Sequence, residues 1–292
     1  MLDVPLPSAQ RTHPASARAN REFRYTDADF HAISGLLRSE AGISLPSGKA
    51  SLVYSRLVKR LRALGLDDFA DYVKLLQNSA NGGERLEMIT ALTTNVTRFF
   101  REPHHFEHLR DSALAPLLAE ARKGGRIRLW SSACSTGQEP YSIAAVLAGS
   151  LTKAPELDIK ILATDIDPTV IEHAKAGRYD SIDGVPNELR RWFHQDANGW
   201  QVDESLRAMV TVRQLNLNAP WPMRGPFDVV FCRNVAIYFD HDVQAQLWAA
   251  FADVMRPNGF FYIGHSERIS GPAAIRFDNV GITTHQRRGE NR

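Results

Sequence analysis

Cysteine is scarce in this 292-residue chain: there are two, Cys134 and Cys232, far apart and each in an apolar stretch, with no Cys-x-x-Cys or Cys/His spacing. That pattern argues against a disulfide framework or a tetrahedral zinc site, and no metal is expected. Long hydrophobic runs are missing too. Nowhere do about 18 apolar residues follow one another, and residues 1–14 hold nothing like a signal-peptide core. No membrane insertion is expected, and the cytoplasm is the expected location. A large excess of one charge is also absent. The formal net charge is +2, with 13 basic and 10 acidic residues in positions 1–100 and 22 against 23 in the rest. So small an N-terminal excess does not suit a general nucleic-acid binder, although it can suit a local acidic partner.

What is present, 43% hydrophobic and 23% charged residues, is ordinary for globular proteins and allows one large or two modest domains. Residues 1–20, rich in Pro, Ala, Ser and Arg with no hydrophobic period, read as a mobile tail. From Tyr25 the pattern turns helical: Thr26 with Asp29 resembles a capping box, and Phe30, Ile33, Leu36 and Leu37 follow at helical spacing. Further helices are expected at 49–64, 67–77, 84–92 and 105–121, with Gly42, Gly65 and Asn81-Gly82-Gly83 as breaks. No strand signal precedes about residue 125. After it, short runs with both faces apolar, 127–130, 159–163, 227–232 and 259–263, alternate with helical stretches. Strands of that kind belong in a parallel sheet covered on two sides, so a doubly wound α/β domain is expected. Between about 177 and 217 the alternation breaks. Asn198-Gly199 signals a hairpin and Met209–Val212 alternates, which suggests a small β excursion inserted in the sheet domain.

The polar clusters fall at expected strand tips. Ser131 to Pro140 joins the first strand to a helix through a small-residue turn that could bring backbone N–H groups to a ligand, but it holds one glycine, Gly137, where a dinucleotide fingerprint would have three. Taken alone, this turn is as consistent with an ordinary strand-to-helix connection as with a cofactor site. Asp165, at the tip of the next strand, is placed to accept hydrogen bonds from ribose hydroxyls. Asp167, followed by Pro168, reads instead as a helix cap. A third run, Phe227 to Asp240, delivers Arg233 and Asn234 to the carboxyl end of another buried strand, where ligands of open α/β sheets bind.

Five blocks, Leu92–Glu102, Ala133–Ser142, Ala163–Asp167, Cys232–Asp240 and Gly264–Glu267, resemble, in the same order, the signatures of the CheR-type chemotaxis receptor methyltransferases. The likeness spans roughly residues 22 to 285. It implies a class I (Rossmann-like) methyltransferase sheet, an all-helical N-terminal domain at 21–93, and an S-adenosylmethionine-binding domain at 94–286 with a β-subdomain inserted at about 177–215. It further implies a monomer that methylates glutamates in the acidic methylation helices of a chemoreceptor, leaving S-adenosylhomocysteine. Carried over by position, the cofactor contacts are Asn95, Thr97, Arg101, Glu139, Asp165, Asn216, Leu217, Arg233 and Asn234, and Arg101 and Tyr238 are the candidate catalytic residues. Gln138 stands where the family usually has an acidic residue. Some relatives dock a receptor C-terminal peptide on the inserted subdomain; the short loop here, about 194–203, suggests methylation without one.

On the helix at 51–64, Val53, Leu57, Leu61 and Leu64 form an apolar stripe, with Arg56, Lys59, Arg60 and Arg62 clustered away from it. Such a cluster is ordinarily a solvated face. The resemblance makes it the surface that meets the acidic receptor segment. His104 and His105 suggest a base or ligand, but without a cysteine or carboxylate at ligand spacing, packing is the expected role. Small-molecule or nucleic-acid methylation, and S-adenosylmethionine sensing without turnover, are the competing readings. The helical N-terminal domain and near-neutral charge oppose the first; Arg101, Glu139, Asp165, Asn234 and Tyr238, all retained, oppose the second.

Overall fold

A computed structural model describes residues 22–151 and 157–289, so the expected tail lies outside the described residues. The chain divides into two compact units: one runs to Leu36 and resumes over Pro46–Leu92, and the other comprises Leu37–Leu45 and the chain from Thr93.

The first unit is helical. Helix α1 (Asp27–Ala41) opens on the expected capping box: the Thr26 N–H donates to Asp29 Oδ2 at 2.8 Å and the Asp29 N–H to Thr26 Oγ1 at 3.3 Å. Helices α2 (Ala50–Leu64), α3 (Phe69–Gln77) and α4 (Gly82–Leu92) follow. Gly65 closes α2 in the left-handed region. Gly82 and Gly83 do not break the chain; they are the first residues of α4, and the break falls at Asn78, whose side chain caps the short 3-10 turn before it. The stripe of α2 is buried at Val53, Leu57 and Leu61, but Leu64 is exposed because the helix ends beside it.

In the second unit the helix expected at 105–121 is three pieces, α5 (His104–His108), a π-helical turn (Leu109–Ala113) and α6 (Leu114–Ala121). A seven-stranded sheet then runs in the order β6-β2-β1-β7-β8-β10-β9. Its strands are β1 (Arg126–Ser131), β2 (Asp158–Asp165), β6 (Val210–Gln214), β7 (Phe227–Cys232), β8 (Met255–Ile263), β9 (Phe277–Gly281) and β10 (Thr284–Arg287). The first five pair in parallel, while β10 runs antiparallel between β8 and β9. Every residue of β7 is buried, as a strand covered on both faces must be. Helix α7 (Gln138–Ser150) links β1 to β2, α8 (Pro168–Ala176) follows β2, and α10 (His241–Val254) links β7 to β8.

A separate three-stranded antiparallel sheet holds β3 (Arg178–Tyr179), β4 (Phe193–Asp196) and β5 (Gly199–Val202), with the Asn198-Gly199 turn joining the last two. Helix α9 (Glu204–Met209) comes next. The alternation at Met209–Val212 belongs elsewhere than expected: Val210–Gln214 is the edge strand of the main sheet, paired in parallel with β2. Alternation is the pattern of an edge strand with Val212 buried and Thr211 and Arg213 exposed, so pattern alone could not say which sheet it would join.

Strand order reverses at β1, whose neighbours are β2 and β7. Loops leaving those carboxyl ends part in opposite directions, and the crevice between them is where α/β sheets hold ligands.

Candidate active site

At the tip of β1 the chain is fastened to its neighbours before it turns into α7. The Ser132 backbone N–H and hydroxyl both donate to the Phe231 carbonyl of β7, at 2.9 and 3.0 Å. Gly137 sits at φ +98, and a Cβ there would stand 2.7 Å from the Tyr179 hydroxyl, so only glycine fits. The neighbouring Gln138 accepts a 2.7 Å bond from the Thr136 hydroxyl as the first residue of α7. The Ser135 N–H donates to Asp165 Oδ2 at 2.8 Å, and the Ser135 hydroxyl donates to the Asn95 carbonyl at 2.7 Å. Asn95 in turn donates to Asp167 Oδ2 at 2.6 Å. Asp167 is also the cap of α8, accepting the Thr169 N–H at 2.8 Å with Pro168 at the first helical position, as its sequence context implies. Asp165 is not a cap: it is buried, and Oδ1 accepts the Asp167 N–H at 3.1 Å.

A second network surrounds Arg233 at the tip of β7. Its guanidinium donates to Glu139 Oε2 at 3.0 Å and to the Arg101 carbonyl, lies 3.4 Å from Glu102 Oε2, and stacks 5.7 Å above the Phe106 ring. Glu139 also accepts the Ser131 hydroxyl at 2.7 Å. Two carboxylates thus share one buried cation. Burial pushes the Glu139 carboxyl up despite Arg233 and Ser131. Burial opposes ionisation of Glu102 as well, but Arg233, His105 and His265 hold it below its ordinary value.

Asn234, at φ +60, gives its N–H to Glu267 Oε2 at 3.0 Å, and the N–H groups of Val235, Ala236 and Gly264 also converge on that carboxylate. Burial raises the Glu267 carboxyl while these four donors oppose the shift. Phe100, Glu102, Ser135 and Thr283 likewise adopt positive φ. Strain of about 1–3 kcal/mol per such residue persists only where surrounding bonds over-determine the backbone, and it gathers at functional sites.

The sequence-derived residues therefore fall into groups. Asn95 and Asp165 share Ser135 and Asp167 as partners, while Glu139 pairs directly with Arg233, and Arg233 and Asn234 share Glu102. Thr97 and Arg101 lie on the same arm as Asn95, and the Arg101 guanidinium turns back to the Val96 carbonyl at 3.1 Å. Asn216, Leu217 and Tyr238 lie on the loops after β6 and β7. Arg56, Lys59, Arg60 and Arg62 are on α2 in the first unit. They do not form one solvated face: Arg56 donates to the Leu92 carbonyl at 2.7 Å, and Arg60 pairs with Glu84 and Glu87 of α4. At helical spacing, positions 56 and 60 fall on the flank that α4 covers, leaving Lys59 and Arg62 exposed.

Sequence reasoning missed Glu102, Ser135 and Glu267 as holders of the site, although all three lie within the signature blocks. His105 is buried, with Nε2 2.8 Å from the Thr283 hydroxyl and Nδ1 3.6 Å from Glu102. A carboxylate does therefore stand beside the histidines, and Glu102, His104 and His105 could in principle share an ion. The Arg233 guanidinium already supplies the positive charge there.

Residues 95–286 match the family model of the CheR methyltransferase SAM binding domain, and residues 28–93 that of the CheR methyltransferase all-alpha domain. Similar known proteins include a probable chemotaxis protein methyltransferase of Rhizobium etli, 50% identical over 86% of this chain and 96% of that protein. The chemotaxis protein methyltransferase of Escherichia coli K12 is 43% identical over 84% and 86%, and chemotaxis protein methyltransferase 2 of Pseudomonas aeruginosa is 42% identical over 87% and 91%. The chain belongs to the CheR methyltransferase family and is an α/β, class I methyltransferase that depends on S-adenosylmethionine.

Proposed function

We propose that this protein, acting as a cytoplasmic monomer, methylates glutamate side chains of a chemoreceptor or similar signalling protein, giving glutamate methyl esters and S-adenosylhomocysteine. Residues 21–93 are assigned to recognition of the acidic receptor segment and 94–286 to catalysis, without need of a receptor C-terminal peptide. Among the described residues no helix is long and apolar enough to cross a membrane.

The observation that carries the reading is the acidic crevice at the switch point. Glu139 and Glu102 gather there around the Arg233 guanidinium, and the buried Asp165 stands at the tip of the neighbouring strand β2. That set of groups fits a ligand bearing both positive charge and vicinal hydroxyls, because an ionised carboxylate offers about four acceptor sites, more than the backbone N–H groups of Ser135, Ile166 and Asp167 take up at Asp165. Asp165 would accept the ribose hydroxyls, Glu139 would face the positively charged end, and Asn95, Thr97, Arg101, Asn216, Leu217 and Asn234 would line the remainder. Arg233, its guanidinium already held by Glu139 and Arg101, would act by holding both in place.

When bound, S-adenosylmethionine supplies an electrophilic methyl group on a sulfonium sulfur. A glutamate acceptor, with a free pKa near 4.3, is already ionised at neutral pH, so the chain has no proton to remove. Its residues must instead position the carboxylate, exclude water and offset the cost of desolvation. Arg101 would pair with the acceptor carboxylate and the Tyr238 hydroxyl would point to the reacting centre; the family resemblance supplies the two identities, and the roles are part of this proposal.

The test is incubation with labelled S-adenosylmethionine and candidate receptors. Base-labile label on receptor glutamates is expected; base-stable label, or label on nucleic acid or small molecules only, would refute the substrate assignment.

A further inference from the structure

The last turn of α1 and the loop after it, Leu37–Leu45, count with the second unit, and their bonds explain why. Arg38 Nε pairs with Asp240 Oδ2 at 2.6 Å. The Glu40 carbonyl accepts from the Asn216 amide at 2.6 Å, and the Ser39 carbonyl from the Asn218 amide at 3.4 Å. The Ser44 N–H donates to the Tyr238 carbonyl at 2.8 Å, and Ile43 makes an antiparallel bridge with Phe239. Gly42 turns the chain at φ +73, where a Cβ would stand 3.0 Å from Asn218 Oδ1 and 3.1 Å from Val243 Cγ1. These contacts fall on the loop after β6, with Asn216 and Leu217, and on the loop after β7, with Tyr238, together with the first turn of α10 into which that second loop leads.

We propose that Leu37–Leu45 is a brace that sets both loops, making Arg38 and Gly42 positioning residues for methyl transfer. The inference rests on the roles assigned above to Asn216, Leu217 and Tyr238. The Arg38 side chain is 61% exposed, so its ion pair adds little to stability. Its effect is on orientation: Asp240 also caps α10 through the Val243 N–H at 3.0 Å, so Arg38 fixes the junction at which the Tyr238 loop meets that helix. Gly42 acts on the other loop, since any side chain there presses on Asn218, two residues from Asn216.

Steady-state methylation and calorimetric binding of S-adenosylhomocysteine are compared for the full chain and for Arg38→Ala, Arg38→Lys and Gly42→Ala, with Asn216→Ala and Tyr238→Phe as references. Because sub-ångström misplacement of reacting groups is costly, Arg38→Ala is expected to lower kcat by ~3- to 10-fold while melting and binding like the parent. Arg38→Lys restores most of the loss. Gly42→Ala is expected to weaken S-adenosylhomocysteine by a similar ~3- to 10-fold. Parental kcat in Arg38→Ala, with the references impaired, overturns the brace, as does activity that merely follows the folded fraction. If both references behave like the parent, the assignment of the two loops to the site fails, and the brace with it.

Discussion

Asp165 illustrates how one carboxylate balances opposing influences. Burial raises its pKa above the ordinary 3.8, while the N–H groups of Asp167 and Ser135 pull it down, and the net direction is upward. Hydroxyl donors from a ribose favour the ionised form, so binding lowers the pKa and releases a proton wherever the free site is protonated. Affinity for S-adenosylhomocysteine is therefore complete above the raised pKa and is lost as pH falls through it, beginning at higher pH than an ordinary aspartate would impose. Calorimetry in two buffers of different ionisation heat should find proton release in the acid range. Asp165→Asn should abolish that release and weaken binding by roughly 1–3 kcal/mol at neutral pH. Parental affinity in Asp165→Asn would remove the residue from the site. Glu267 is the complementary case, a buried carboxylate turned entirely inward on four backbone N–H groups. Glu267→Gln keeps its size but sets an NH2 against two of those donors. A loss of about 2–4 kcal/mol is expected, with weakened cofactor binding through Asn234. An unchanged melting temperature would show that the turn does not depend on this carboxylate.

At the scale of elements, α2 separates charge count from charge availability. Arg60 is bound by Glu84, whose side chain is 10% exposed and also accepts the Tyr72 hydroxyl at 2.9 Å. Arg60→Ala strands that carboxylate and should cost about 1–3 kcal/mol of stability, read by denaturation. Lys59→Glu with Arg62→Glu, on exposed positions, should leave stability and cofactor affinity intact but reduce receptor methylation at low salt, because a surface attraction of this kind is screened by ions. Normal methylation by that pair would mean that α2 is only a solvated face. The same helix marks how far sequence could reach. Its period, its stripe and its glycine stop were legible because they depend on local spacing. Which arginines α4 would cover depends on a partner helix about 25 residues away, and that information is not local. The sheet behaved similarly. β7 was readable as a short run apolar but for Asp228, whereas Val210–Gln214 could not be assigned to a sheet until its partner β2 was known. The π-helical turn at Leu109–Ala113 sits inside a periodic apolar pattern and leaves no mark in it.

On the scale of the whole molecule, the candidate site is a meeting of strand tips and one arm, held by strained backbone and buried ion pairs rather than by any single motif. The strand-tip residues Asp165, Arg233 and Asn234 could be placed from sequence, since strand ends converge in any doubly wound sheet. Asn95, Thr97 and Arg101 could not, because the arm has no period of its own and came only with the family resemblance. The assembly has a kinetic consequence. Burial, with the positive charge of Arg233 and the neighbouring His104 ring, drives His105 down to about 3, so this imidazole stays neutral and weakly basic throughout the physiological range. Its Nε2 is moreover in contact with the Thr283 hydroxyl, which suits a packing role. With an acceptor carboxylate already ionised, nothing in the proposed reaction needs to lose a proton. Turnover measured in single-turnover mode should therefore stay flat from about pH 6.5 to 8.5. Arg101→Ala should lower that rate more than it weakens the cofactor, because its proposed partner is the acceptor carboxylate. A steep rise in rate across the window, abolished by replacing His104, His105 or His265, would show that a histidine base takes part and that positioning alone does not account for catalysis.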